Sequence, residues 1–267
     1  MSTQGSKITK FNISPSGIAG ITFVILFLLY HAAEYMLLFH NSVVGFLFFQ
    51  LLFFVAAYFL GNWYSDNGLA AWGLSFKGKL MGSLFFGIFM GVVMYAIPYF
   101  ISLALGIESI EIVPNLTGIF AMSLPFVFGV LFSSFSEDIL TRGLIYKHFK
   151  KAIKPKLLIL FSATIYVLNH IYRYQDGIET WMYLFLLGVI YIIPVIYTKR
   201  LWLTGGMHWA GNCFFYIFHN VIQVKIQATY ITPNYLFALC LALFLPIFWA
   251  LIKAFAPYFK SNSTIWK

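Results

Sequence analysis

Two adjacent carboxylates and a guanidinium interrupt an oily stretch. Ser136-Glu137-Asp138-Ile139-Leu140-Thr141-Arg142 follows an apolar run over 117–135. Later apolar stretches carry the complements: His170 with Asn169 beside it, and His208 with Asn212. Ionisable groups at membrane depth are costly, so such a set is a candidate functional site. Asp138 and Arg142 are four apart and share a helix face, where they can pair. Glu137 is rotated by ~100° from Asp138 and is left to face a cavity. His208 and Asn212 also share one face. A carboxylate beside an imidazole can take a proton from water and activate it. A second imidazole and an amide can donate to a developing oxyanion. These are the parts of peptide hydrolysis without a covalent intermediate. Glu137, His170 and His208 can alternatively ligate zinc, with bound water as nucleophile, although the helical H-E-x-x-H spacing is absent. Ser133, Ser134 and Ser136 lack a G-x-S-x-G context and read as packing residues. Cys213 lies ~100° off the Asn212 face.

Positioning these groups requires helices across a bilayer. Apolar runs at 17–39, 43–60, 80–105, 117–149, 157–172, 181–197, 201–222 and 235–255 predict about eight transmembrane helices around a polar intramembrane cavity, an all-α polytopic fold. Pro98 is expected as a tolerated kink. The first run is too long for a signal-peptide core and is expected to be retained. Within it His31 and Glu34 share a face, either as a polar contact to the cavity or as a buried structural pair. Trp63, Tyr64 and Trp72 suit an interfacial aromatic belt. One domain is expected over 17–255, with the motif-bearing core at 117–222 and cytoplasmic tails at 1–16 and 256–267. Counted from the nearest basic residue, Glu137 and His208 lie ~15 and ~12 Å deep, but His170 lies ~21 Å deep. A common level therefore asks for a tilt in the helix bearing His170.

The chain of 267 residues is 61% hydrophobic and 9% charged, far from a soluble domain's ~25% charged. Its mean hydropathy is +0.85. The net charge of +9 follows from topology rather than from nucleic acid, which is not expected as a partner. With eight spans, only Arg173 and Lys225 of the 17 Lys and Arg residues fall on one side. That asymmetry places both termini in the cytoplasm. Lys147, Lys150, Lys151, Lys154 and Lys156 form a basic block on that face, an anchor or a site for anionic lipid or substrate. Cys213 and Cys240 sit in apolar runs without metal-ligand spacing and imply no disulfide.

Glu137-Asp138-x-x-x-Arg142, Tyr166-x-x-x-His170 and His208-x-x-x-Asn212, in this order on separate apolar segments, resemble the motifs of the CPBP family, the CAAX proteases and bacteriocin-processing (Abi) enzymes. Asp138 stands where the family has a second glutamate, and Tyr166 where it has phenylalanine. The resemblance implies that Glu137 and His170 activate water, that His208 and Asn212 stabilise the oxyanion, and that Asp138, Arg142 and Tyr166 support the site. It implies an endopeptidase in a membrane, expected to be bacterial, with the lipid bilayer and a membrane-associated, prenylated or unmodified, peptide or protein as partners. No cofactor is expected, zinc being the alternative. Two other readings stay open: a catalytically inactive immunity or scaffold protein of the same family, and a proton-coupled transporter.

Overall fold

The computed structural model describes residues 15–228 and 230–260; most of the two expected tails lies outside the described residues. Eight helical rods appear in chain order: α1 (Pro15–His40), α2 (Val43–Ser65), α3 (Leu80–Ala104), α4 (Leu116–Asp138) continuing into α5 (Leu144–Phe149), α6 (Pro155–Leu168), α7 (Ile178–Thr198), α8 (Trp202–Tyr216) and α9 (Pro233–Phe259). Six of these rods are long and apolar enough to cross a membrane; α6 is a shorter apolar helix. The starts follow local chemistry. Ser42 and Asn115 accept from the backbone N–H of Gly45 and Gly118, and Thr232 accepts from that of Tyr235. Each satisfies a donor that an α-helix leaves unpaired in its first turn. Pro98 lies inside α3 without ending it.

Four features depart from the sequence pattern. The rod from Leu116 to Phe149 is continuous but includes a π-helical turn over Ile139–Gly143, a wider turn that often accompanies functional sites. The expected helix 157–172 ends at Leu168, and a 3-10 segment over Ile171–Asp176 follows. Trp72 belongs to no interfacial belt: it is fully buried and donates its indole N–H to the Ala57 carbonyl at 2.7 Å. Its ring amine gains a partner inside the fold, which a belt position would leave to water. A short antiparallel pair, β1 (Glu108–Ile112) with β2 (Gln223–Ile226), adds a register of Glu108 opposite Ile226 at the end away from the basic block.

The core has two large parts, with a small third cluster of Ile107, Leu236 and Cys240. One gathers Leu26, Phe53, Trp72, Ile139, Leu140 and Leu144 between α1, α2 and the α4–α5 rod. The other gathers Met94, Tyr166, Tyr191, Met207 and Leu241 between α3, α6, α7, α8 and α9. Val24, Leu28, Phe48, Phe89, Leu124 and Leu243 point outward and are exposed, as apolar side chains do when lipid is the solvent. Between α3 and α8 the backbones meet closely. A Cβ on Gly87 would collide with the Leu203 carbonyl, one on Gly91 with the Met207 carbonyl, and one on Gly206 would sit 2.6 Å from the Leu84 carbonyl. Gly87-x-x-x-Gly91 is thus a small-residue stripe that lets α8, with His208, approach α3. Cys213 and Cys240 are free. At the basic end, burial and the neighbouring Lys199, Lys147 and Lys151 ammonium groups push Lys150 down to about 8.

Candidate active site

Glu137 is the last residue but one of α4 and is buried. Its two oxygens face different histidines. Oε1 lies 3.7 Å from His170 Nδ1, and Oε2 lies 3.5 Å from His208 Nε2. Asn169 Nδ2 donates to Oε1 at 3.1 Å. Three separate stretches therefore converge on one carboxylate. α6 ends at Leu168, and His170 caps the 3-10 segment that follows with φ −88° and ψ 52°, so it is carried by a break in the helix. Its Nδ1 lies 2.8 Å from the Tyr166 carbonyl. A carbonyl only accepts, so His170 donates Nδ1–H there and leaves Nε2 as the basic nitrogen.

Asp138 is paired with Arg142. Arg142 Nη1 donates to its Oδ1 at 2.6 Å, and both side chains are fully buried. The same Oδ1 lies 3.3 Å from His208 Nδ1, so His208 spans both carboxylates. The guanidinium stacks 4.1 Å above the centre of the Tyr166 ring and 5.1 Å from that of Tyr191, which disperses its charge onto two ring faces. Arg142 Nη1 also donates to Thr141 Oγ1 at 2.9 Å. Tyr166 additionally sets its ring edge-on to His170, with centroids 4.8 Å apart. Asn212 is half-buried and donates to Ser134 Oγ at 3.3 Å, on the helix that carries Glu137. The other two serine hydroxyls turn back into their own helix, Ser133 to the Val130 carbonyl and Ser136 to the Ser133 carbonyl.

Two contributors have no motif in the sequence. Tyr191 lies in the middle of α7 and packs on His208 with ring centroids 5.0 Å apart; nothing separates it from the other apolar residues of that helix. Asn169 had a signal only in its neighbour His170, yet its amide is the direct hydrogen-bond partner of Glu137. Among the described residues no group of three or more His, Cys, Asp or Glu side chains is arranged to hold a metal ion. His170 Nδ1 is engaged with a carbonyl and His208 Nδ1 faces Asp138, which leaves the Nε2 atoms of both rings for other partners.

Comparison with curated proteins and with solved structures finds no match. A family model described as "Type II CAAX prenyl endopeptidase Rce1-like" matches residues 119–214, the segment from α4 through most of α8 that holds Glu137, Asp138, Arg142, Tyr166, His170, His208 and Asn212. The match makes this motif-bearing part of the chain, 96 of its 267 residues, similar to the type II CAAX prenyl endopeptidases.

Proposed function

We propose that the protein is an intramembrane endopeptidase that hydrolyses a peptide bond of a membrane-associated peptide or protein, with Glu137 as the general base. The observation that carries this reading is the buried Glu137 carboxylate held between His170 and His208 at 3.7 and 3.5 Å. Glu137 takes one proton from a water molecule, and the oxygen forms its bond to the scissile carbonyl carbon. His170, its Nδ1–H given to the Tyr166 carbonyl, offers Nε2 as an acceptor that orients the same water. His208 lies between the two carboxylates, with Nε2 3.5 Å from Glu137 and Nδ1 3.3 Å from Asp138. A His208 Nε2–H, with the Asn212 amide, is the donor set for the oxyanion. Collapse of the tetrahedral intermediate breaks the C–N bond, and the proton held by Glu137 passes to the departing amine. The family description points to substrates of the prenylated CAAX class, and the surrounding bilayer to a substrate anchored by a lipid or an apolar segment.

Cleavage of prenylated and unprenylated peptides by the purified protein in detergent, with and without a chelator, tests the reading. Hydrolysis that survives the chelator is expected. Loss of hydrolysis on chelation, with recovery on zinc, would replace the carboxylate base by a metal-bound water.

The basic end of the bundle carries Lys147, Lys150, Lys151 and Lys199, and we assign it to the cytoplasmic side of a bacterial cell membrane, with both termini on that side. A cysteine placed next to Lys151 is expected to react with an impermeant thiol reagent only after the membrane is opened. Labelling in intact cells would invert the assignment.

A further inference from the structure

The helix that bears His170 ends one residue before it needs to hold two groups on Glu137. α6 stops at Leu168 and Asn169 is its cap, and carbonyls at a helix C-terminus lack intrahelical donors. The Asn169 carbonyl is buried with its residue, yet it has a partner from far along the chain. His31 Nε2, on α1, lies 2.8 Å from it. A carbonyl oxygen only accepts, and each ring nitrogen of His31 faces one, Nε2 that of Asn169 and Nδ1 that of Phe27; the contact to Asn169 is a hydrogen bond in the ring form that carries Nε2–H. The His31 ring is itself held from several sides. Nδ1 is 2.9 Å from the Phe27 carbonyl, Glu34 Oε2 is 3.8 Å from Nε2, and the rings of Phe27 and Tyr172 pack at 4.0 and 5.8 Å. The Tyr172 hydroxyl, just past the break, donates to the His31 carbonyl at 3.4 Å, so α1 and the 169–172 segment are tied in both directions.

Asn169 is the point where this tie meets the site. Its side-chain amide donates to Glu137 Oε1, and the next residue brings His170 Nδ1 to the same oxygen. Rotation of the 169–170 peptide would swing both groups off the carboxylate. We infer that His31 is a positioning residue of the catalytic centre: by donating Nε2–H to the Asn169 carbonyl it fixes the peptide that aims the Asn169 amide and the His170 imidazole at Glu137. The inference rests on the peptidase reading above. It adds α1, which lies outside the matched segment 119–214, to the catalytic apparatus.

The test uses two amides of different reach in the full-length protein. In His31→Gln the amide nitrogen can occupy the place of Nε2, whereas in His31→Asn it reaches only the place of Nδ1. His31→Asn is expected to lower kcat by roughly 10–100-fold with KM within about twofold, since misplacement of reacting groups by about 1 Å has costs of that order. His31→Gln is expected to lose no more than about fivefold, one neutral hydrogen bond of altered geometry. Equal kcat in both variants, whether high or low, would overturn the positioning role, because a purely structural defect does not distinguish the two amides by where the donor lies. Wild-type protein that cleaves no peptide would remove the peptidase reading and this role together. Wild-type cleavage that Glu137→Gln abolishes and His31→Asn leaves intact would remove the role alone. A second measurement needs no variant. Asn169-His170 is the one Asn-His pair in the sequence, so a carbonyl label on Asn combined with nitrogen-labelled His singles out the Asn169 carbonyl by magnetic resonance. A through-space correlation to a protonated side-chain Nε2 of a distant histidine is expected. Its absence would overturn the contact even where both variants fail to fold.

Discussion

Glu137→Gln is expected to leave a folded protein that still binds substrate and hydrolyses it about 10²–10⁴-fold more slowly, the usual worth of a positioned general base. Glutamine keeps the size of the side chain, and its carbonyl oxygen can still accept from Asn169 Nδ2, which now sits 3.1 Å from Oε1. What it loses is basicity and the charge that His170 and His208 face. The effect therefore falls on kcat and not on binding. His170→Ala is expected to behave similarly, since it removes the nitrogen that orients the water. Asn212→Ala is expected to cost less than loss of the base, at most ~10²–10³-fold, the range for one oxyanion donor. Peptide-bond cleavage at matched folded concentration decides the matter: equal rates for wild-type and Glu137→Gln would exclude Glu137 as the base. Cleavage by neither, with cellular function intact in the variant, would point to an immunity or scaffold protein.

Arg142→Ala is expected to lower stability by about 3–5 kcal/mol, and the double change with Asp138→Ala by less than the sum of the two single changes. Removing one partner of a buried ion pair strands the other charge without solvent. Here Asp138 is fully buried and its Oδ1 takes a 2.6 Å hydrogen bond from Arg142. In the single variant His208 alone would face that carboxylate, at 3.3 Å, and would be drawn off Glu137. Arg142→Ala also empties the space between the Tyr166 and Tyr191 rings, which flank the guanidinium. The double variant removes the stranded charge and keeps only the packing defect. Unfolding in detergent, followed for wild-type, both single variants and the double, measures the coupling. Additive losses would contradict an energetic pair between Asp138 and Arg142 and leave the buried ring stack as the sole role of the arginine.

Much of this site is legible in the sequence because it is local. The i,i+4 spacing of Asp138 and Arg142 brings them together on any helical turn, and the pair survives even the π-helical turn over Ile139–Gly143. The caps at Ser42, Asn115 and Thr232 act on donors three residues away. Long apolar runs identify the membrane class without reference to packing. The ordered motifs on three such runs identify the residues of the site, because charged and amide groups stand out against an apolar background.

Tertiary structure decided the rest, and for a definite reason. In water the polar face of a helix marks the side that points away from the core. In lipid both the packed and the outward faces are apolar, so the pattern along α7 says nothing of Tyr191 meeting His208 and Arg142. Nothing in the run 157–172 marks Leu168 as the last residue of α6, since the broken turn is stable only when its open carbonyl finds a donor elsewhere. That donor, His31, lies 138 positions away. Trp72 looks like an interfacial residue until the Ala57 carbonyl is brought to its indole nitrogen. The sequence by itself determined which groups could do chemistry and that they lie in a membrane. Packing of the rods decided which faces meet, how His170 reaches Glu137, and which silent residues lie against the carboxylate.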